Sequence, residues 1–127
     1  MTQKQVQSLI EQIFEEVQDI RSEGQKEYAR KEDNAFANFE RIGSWLDKSK
    51  EEVLMIYLMK HIDGIISWID GHKSQREDVT GRIIDCIVYL CLLYAMSEVP
   101  EPKPPNYERI GDFSDPNMYQ TTGDNVI

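Results

Sequence analysis

The stretch SQREDVTGRIIDCIVYLCLLYAM, residues 74–96, determines how the rest of the chain must be arranged. Ser74 and Glu77 match the S-x-x-E capping box that begins a helix. The residues that follow are apolar on nearly every side, which predicts the buried centre of a helical domain. At about 100° per residue, however, one narrow polar stripe runs along this helix: Asp78, Arg82, Asp85 and Tyr89. Asp85 has isoleucines and a cysteine around it, so its carboxylate must be paired, hydrogen-bonded, metal-bound or protonated.

Size and composition are those of one globular domain. The chain has 127 residues, of which 40% are hydrophobic and 29% charged, enough for one hydrophobic core but not for two. The net charge of −9 argues against direct nucleic-acid binding, because such proteins hold phosphates with an excess of lysine and arginine. The acidity is compatible with a solvated surface, a divalent-metal site or a surface that imitates DNA.

The sequence also predicts where the protein is found. The N-terminal residues lack the apolar core of a signal peptide, and no apolar run approaches the roughly 20 residues that span a membrane. Cys86 and Cys91 lie on one predicted helix and point in different directions, which indicates small core residues in a reducing compartment. We therefore expect a cytoplasmic protein that does not contact a membrane.

Apolar periodicity predicts three further helices, over residues 2–24, 34–46 and 50–69. Their start and stop signals are an N-cap at Asp33, a second capping box at Ser49 and Glu52, and a left-handed stop at Asp70-Gly71. The connection between the two longest helices of the C-terminal half is short, so these should pack antiparallel. The predicted fold is all-α, an antiparallel bundle of about four helices over residues 1–99.

Residues 100–127 form a separate segment. Four of its five prolines, Pro100, Pro102, Pro104 and Pro105, exclude helix, and no periodicity follows them. Several apolar side chains are too many for a purely solvated tail: Tyr107, Ile110, Phe113, Met118 and Tyr119. We expect an extended, Pro-rich segment that wraps back over the helices or contacts a partner subunit, with disorder at its very end.

Residues 24–34 interrupt the helical pattern and carry a basic cluster of Lys26, Arg30 and Lys31, with Tyr28 among them. One interpretation is a solvated connector. The alternative is a loop whose cations contact phosphate and whose tyrosine stacks on a base.

A second polar stripe, with Lys60 and Asp63, lies on the third predicted helix. Antiparallel packing would place it opposite the stripe that contains Asp85. Two interpretations stay open: a buried ion network in which Lys60 and Arg82 neutralise the two carboxylates, and a metal or ligand site. His61 lies on the other side of this helix and is interpreted as a packed or surface residue.

Three segments, in this order, resemble a helical domain that is common in phage genomes. They are EYARKEDNAFANFERIGSWL (residues 27–46), an apolar helix that contains Lys60, and EDVTGRIIDCIVYLCLL (residues 77–93). The phage domain shows a tyrosine loop followed by an N-F pair, a helix with K-x-x-R, and a last helix with D-x(6)-D-x(3)-Y. It is associated by genome context with nucleotide modification and is distantly similar to MazG-type all-α nucleoside triphosphate pyrophosphohydrolases. The resemblance covers residues 26–96.

Matched position by position, the resemblance points to Tyr28, Asn38, Phe39, Lys60, Asp78, Asp85 and Tyr89. In MazG-type enzymes, carboxylates on two neighbouring helices bind Mg²⁺, which bridges the triphosphate. The resemblance thus implies Mg²⁺ as cofactor, with metal ligands Asp63, Asp78 and Asp85, of which Asp78 and Asp85 would be catalytic. Further ligand contacts are expected from Lys26, Arg30 and Arg82.

The chain departs from the family pattern on its third helix. The E-x-x-E motif of MazG-type enzymes is missing, since residues 56–66 offer a single carboxylate, Asp63, which stands where the phage domain usually has arginine. A pocket with part of its metal site lost can still bind a nucleotide without hydrolysing it.

Three functions of different classes follow. The first is a Mg²⁺-dependent (deoxy)nucleoside triphosphate pyrophosphohydrolase. The second is a non-catalytic binder that senses or sequesters a nucleotide or nucleotide-like signal, which in a phage would counter host defence. The third is a structural or interaction protein whose polar stripe is only a buried ion network. In each case we expect a homo-oligomer, a dimer or tetramer, in the cytoplasm, which is the host cytoplasm for a phage protein.

Overall fold

The computed structural model describes residues 1–30, 33–73 and 76–99, and within these ranges every regular element is a helix. In chain order the elements are α1 (Gln3–Gly24), a π-helical segment (Gln25–Ala29), α2 (Ala37–Leu46), α3 (Lys50–Ile69) and α4 (Val79–Glu98). The predicted all-α bundle of about four helices is confirmed. The predicted extended segment over residues 100–127 lies outside the described residues, as do Lys31 and Ser74.

α1 begins at a capping box, and the chain stays helical beyond the predicted end of α1 at Gly24. The Thr2 hydroxyl accepts a hydrogen bond from the Gln5 N–H at 3.2 Å, and the Gln5 side chain accepts one from the Thr2 N–H at 2.8 Å. Gly24 keeps right-handed helical angles, so the chain passes directly into the π segment, which ends where Arg30 adopts a φ of 61°. The stretch expected as a connector is therefore helical as far as Ala29.

α2 starts later than predicted. Phe36 precedes it without a side-chain cap, and the Asn34 side chain accepts a hydrogen bond from the Phe36 N–H at 3.0 Å. Asp33 therefore does not cap this helix. At the other end the Lys48 N–H donates to the Gly43 carbonyl at 2.9 Å, so the chain turns tightly into α3. Glycine is required at position 43 because a Cβ there would overlap the Lys48 carbonyl oxygen.

α3 and α4 form the predicted antiparallel hairpin. Facing pairs run in opposite directions along the two helices: Tyr57 with Tyr89, His61 with Asp85, and Gly64 with Arg82. The capping box of Ser49 and Glu52 begins α3 as expected, and Gly71 has a φ of 93° just after the helix ends. A φ of this sign is open to glycine at little cost, which is why the chain can reverse there.

α4 begins at a different residue from the one that its sequence suggested. Asp78 is the N-cap, and its carboxylate accepts a hydrogen bond from the Val79 N–H at 2.8 Å. The predicted capping box of Ser74 and Glu77 does not begin this helix, because helical geometry is reached only after Asp78. Glu77 instead lies before the first turn, where its carboxyl group contacts that of Asp85.

The core lies where α4 packs against α1 and α3, and α2 packs against α3 and the π segment. Eight buried side chains form one cluster: Val17, Phe39, Val53, Leu54, Ile84, Val88, Leu92 and Met96. Half of these come from α4. Other apolar residues of α4 are nevertheless exposed, with Ile83 at 40%, Leu90 at 52% and Tyr94 at 69%. The expectation that α4 is buried on nearly every side was wrong, because its two neighbouring helices leave one face uncovered.

By length and composition α4 could also cross a membrane, contrary to the prediction that no apolar run is long enough to do so. The core helix of a soluble protein meets the same criteria. α4 contributes half of the core cluster and carries Arg82 and Asp85, so one side of this helix packs as that of a core helix does. The described structure is consistent with a soluble protein, and the cytoplasmic location stays a prediction.

Candidate functional site

Asp85 faces His61, and not the residues that were expected opposite it. The Nδ1 atom of His61 lies 3.6 Å from Asp85 Oδ2, and the imidazole ring centre is 5.6 Å from that of Tyr89. Lys60 and Asp63 instead lie on the exposed side of α3. The polar stripe predicted to face α4 therefore faces away from it.

The rotation of α3 about its axis explains this difference. His61 continues the row of the buried residues Leu54 and Leu58 at helical spacing, so burying these leucines turns the imidazole inward. The sequence shows both rows of residues, but the more polar row was assumed to carry the site.

Glu77 joins His61 and Asp85 in what we call the His61 cluster. One ligand atom from each side chain lies within 4.8 Å of the others, and no other group of three potential metal ligands is this compact in the described part of the chain. Burial raises the pKa of the Asp85 carboxyl; the His61 imidazole opposes this shift, and the hydrogen bond with Glu77 adds to it. The Nδ1 atom of His61 is buried and makes no hydrogen bond to the described residues.

A cavity of about 410 Å³, which we call the Asp85 cavity, opens beside this cluster. It is lined by Ile20, Arg21, Glu23, Gly24, Glu27, Tyr28, Asn38, Phe39, His61, Asp85, Val88, Tyr89 and Leu92. Five residues to which the resemblance pointed lie in this one cavity: Tyr28, Asn38, Phe39, Asp85 and Tyr89. They come from the π segment, α2 and α4, so only the tertiary fold brings them together.

Aromatic side chains form one wall of the cavity. The ring of Phe39 packs edge-on against Tyr57 and Tyr89, with centres 6.2 and 6.4 Å away, and the two tyrosines stack at 6.3 Å. Burial, together with the charge of Asp85, raises the pKa of Tyr89 to about 12. The Tyr89 hydroxyl therefore stays protonated at neutral pH and can donate a hydrogen bond. Tyr28 exposes 57% of its surface and is accessible for stacking.

Two carboxylates of the cavity were not singled out from the sequence. Glu23, near the end of α1, and Glu27, in the π segment, lie four positions apart and line the cavity together with Asp85. Their spacing places them on one face only if the helix continues through Gly24. Because glycine suggested a helix end there, this signal was missed.

Arg21 gives the cavity a positive charge and ties α1 to the chain before α2. Its guanidinium donates hydrogen bonds to the Gln25 side chain and to the Ala35 carbonyl, the latter at 3.3 Å. Burial lowers the pKa of Arg21, but arginine starts so high that it stays charged at neutral pH. Arg41 donates to the Tyr28 carbonyl at 2.9 Å, which fixes the π segment against α2.

The other predicted ligand residues lie outside this cavity. Asp78 and Arg82 line a separate pocket of about 330 Å³, to which Glu77 also contributes. Lys26 lines a groove of about 630 Å³ between α1 and α4. Lys60 and Arg30 are exposed and line neither of these nor the Asp85 cavity.

The predicted metal ligands Asp63, Asp78 and Asp85 do not converge. The Asp78 carboxylate is engaged at the start of α4, where it accepts hydrogen bonds from the Val79 N–H at 2.8 Å and the Thr80 hydroxyl at 3.1 Å. Asp63 is exposed on α3. The predicted ion network also differs from the observed pairing, in which Arg82 lies 4.0 Å from Glu77.

Known proteins do not identify this site. Comparison with protein-family models, curated proteins and solved structures gave no match to the chain. The arrangement itself combines an aromatic wall, the Asn38 amide and several carboxylates around one cavity. Such a set can stack on a planar ring, hydrogen-bond to its edge and hold a divalent cation.

Proposed function

We propose that this protein binds a nucleotide in the Asp85 cavity and is a Mg²⁺-dependent (deoxy)nucleoside triphosphate pyrophosphohydrolase of MazG-like type. The observation that carries the proposal is the convergence of Tyr28, Asn38, Phe39, Asp85 and Tyr89 on one cavity. The resemblance to the phage domain had pointed to these residues as part of a nucleotide site. The cavity volume of about 410 Å³ falls within the roughly 300–1,000 Å³ of typical small-molecule pockets.

The aromatic side of the cavity would hold the base. The exposed ring of Tyr28 can stack on a base, and such stacking contributes about 1–3 kcal/mol. Asn38 offers both donors and an acceptor, as the edge of a base requires. The protonated Tyr89 hydroxyl would donate to an oxygen of the sugar or phosphate.

The acidic side of the cavity would need a cation before it could accept phosphates. Glu23, Glu27 and Asp85 repel a triphosphate, and the nearby positive charge of Arg21 does not balance all three. Their oxygens fit Mg²⁺, which is commonly held by one or two carboxylates, water and substrate phosphates. Glu23, Glu27 and Asp85 would hold the ion, which would supply positive charge to offset that of the phosphates and would make the attacking water more acidic.

The chain's own residues would position the substrate and accept the proton. Water would attack the α-phosphorus and the bond to the β-phosphate would break, which yields nucleoside monophosphate and pyrophosphate. A carboxylate of Glu23 or Glu27 would take the proton from the water. Arg21, held by its hydrogen bond to the Ala35 carbonyl, would offset charge on the departing pyrophosphate.

A second candidate is a binder that senses or sequesters a nucleotide without hydrolysing it. The observation in its favour is that Lys60 and Arg82, expected to contact phosphate, lie outside the Asp85 cavity, as do Asp63 and Asp78. A site with fewer phosphate and metal contacts would retain the aromatic wall and still hold a base. In a phage, such a protein would counter host defence.

The test is incubation of the purified protein with a panel of canonical and modified (deoxy)nucleoside triphosphates plus Mg²⁺. Chromatography quantifies released monophosphate, pyrophosphate and nucleotide that is returned intact. We expect turnover of at least one nucleotide, lost in Glu23→Gln and in Asp85→Asn. Asp19→Asn is the matched control, because Asp19 is an exposed carboxylate one turn before Glu23 and does not line the cavity.

Each outcome selects one candidate. Turnover that is lost with Glu23 but kept in Asp19→Asn supports the hydrolase. Nucleotide recovered bound and intact supports the binder. If no nucleotide of the panel is turned over or bound, the hydrolase and the binder are both excluded. A structural or interaction protein then remains.

We also infer a homo-oligomer, a dimer or tetramer, which would cover exposed apolar side chains of the hairpin. Met55, Ile56 and Met59 on α3 and Leu90 and Tyr94 on α4 are each at least 39% exposed. Analytical ultracentrifugation would measure the mass directly, and a monomer at micromolar concentration would contradict the inference.

A further inference from the structure

A Mg²⁺ site does not explain why the imidazole of His61 is buried next to the carboxyl group of Asp85. Mg²⁺ prefers oxygen ligands, whereas imidazole nitrogen suits zinc and first-row transition ions. The His61 side chain is only 12% exposed, and its Nδ1 atom is buried without a hydrogen bond to the described residues. A buried polar atom without a partner costs stability, so a ligand at this nitrogen would remove that cost.

The distances within the His61 cluster suit a shared ion. Nδ1 of His61 and Oδ2 of Asp85 are 3.6 Å apart, which is too long for a good hydrogen bond. Two ligand atoms that each lie about 2.1 Å from one ion are roughly 3–4 Å from each other. The observed separation therefore matches two ligands of one ion. The third ligand atom, from Glu77, lies within 4.8 Å of both, so a small closure would complete the set.

The charges of the cluster also favour a cation. The carboxyl groups of Glu77 and Asp85 contact each other, and two carboxylates in contact require a proton or a cation between them. Arg82 lies 4.0 Å from Glu77 and offsets one of the two negative charges. A divalent ion would more than offset the remaining negative charge and would engage the imidazole as well.

We propose that His61, Glu77 and Asp85 form a binding site for one divalent ion of the zinc and first-row transition-metal class, represented by Zn²⁺ and Mn²⁺. Three protein ligands leave further coordination positions for water or substrate. Since His61 and Asp85 line the Asp85 cavity, these positions are reached from it. The proposal that a metal binds here depends only on these three side chains. A role of that metal in hydrolysis would rest on the proposed function.

Metal binding is measured on the full chain without nucleotide, after removal of any affinity tag and of bound metal by a chelator. Calorimetry compares Zn²⁺, Mn²⁺ and Mg²⁺, and Co²⁺ absorption reports nitrogen and oxygen coordination. We expect one ion per chain, with Zn²⁺ or Mn²⁺ bound at least about tenfold more tightly than Mg²⁺. His61→Gln should weaken this binding at least about tenfold. The control His72→Gln, in the turn after α3, should bind as the wild type does.

Several results would overturn the site. These are no metal binding, equal affinity for Mg²⁺ and Zn²⁺, or binding that survives both His61→Gln and Glu77→Gln. The second variant keeps the test decisive if one substitution prevents folding, which circular dichroism of the metal-free proteins would show.

The metal site and the proposed function fail separately. Zn²⁺ or Mn²⁺ binding that is lost in His61→Gln supports the site even when no nucleotide is turned over. Mg²⁺-dependent hydrolysis that is unchanged in His61→Gln, with no Zn²⁺ or Mn²⁺ bound, would overturn the site and leave the proposed function in place.

Discussion

Arg82 lies across α3 at Gly64, and this contact determines what a methyl group at that position would do. A Cβ on Gly64 would come within 2.6 Å of Arg82 Cζ and 2.7 Å of Cδ. Alanine in place of glycine normally stabilises a helix interior by about 1 kcal/mol. Forcing a methyl group into filled space costs about 1–3 kcal/mol. The Arg82 side chain is only 20% exposed and would have to move aside, so we expect Gly64→Ala to lower the free energy of unfolding by up to about 2 kcal/mol.

Removal of the arginine side chain should reverse the sign of this effect. In an Arg82→Ala background the new methyl group no longer meets the guanidinium, so Gly64→Ala should raise the free energy of unfolding by about 1 kcal/mol. The coupling energy of this double-mutant cycle, measured by urea denaturation, would then be about 1–3 kcal/mol.

Gly81→Ala provides the matched control on α4. A Cβ there would approach Glu77 no closer than 3.6 Å, which is an ordinary contact. The free energy of unfolding of this variant should therefore rise by up to about 1 kcal/mol. If Gly64→Ala raised the free energy of unfolding as much as Gly81→Ala does while Arg82 is present, the placement of Arg82 over α3 would be refuted.

Two further predictions concern the core and Asp85. Leu54 is 0% exposed, so Leu54→Ala should lower the free energy of unfolding by about 2–5 kcal/mol, whereas Met59→Ala, 55% exposed on the same helix, should change it by less than about 0.5 kcal/mol. Equal losses in urea denaturation would contradict the position of the core. Burial raises the pKa of Asp85 in the folded protein, so the folded state binds more protons than the unfolded state between the two pKa values. The contribution of this carboxyl to stability is therefore present at low pH and falls as pH rises from about 3.9 through the raised pKa. Asp85→Asn cannot titrate, so in metal-free protein its stability relative to the wild type should rise across that window; a constant difference would show that the pKa is not raised.

Signals between residues that are close in sequence were enough to locate most of the helices. The capping box of Ser49 and Glu52 and the apolar periodicity that follows it predicted α3 with the bounds that the structure shows. Both signals depend on hydrogen bonds and packing within a few residues, so they are visible in the sequence itself. Helix starts were less certain where two caps compete, as at α4, where Asp78 and not Ser74 is the N-cap.

The candidate site could be predicted only in part. The resemblance selected seven residues, of which Tyr28, Asn38, Phe39, Asp85 and Tyr89 line the Asp85 cavity, whereas Lys60 and Asp78 do not. It did not select His61, which had no family pattern to mark it. The acidic pair Glu23 and Glu27 was also missed, because Gly24 suggested a break in the helix that the structure does not have.

The sequence by itself determined that the protein is a bundle of helices, and that a carboxylate near the centre of the last helix must find a partner. Which partner it finds was decided only by the tertiary structure. A polar stripe shows that one side of a helix differs from the rest, but it does not show which side a neighbouring helix covers. Burial of Leu54 and Leu58 rotates α3 so that His61, and not Lys60 or Asp63, faces the α4 carboxylate.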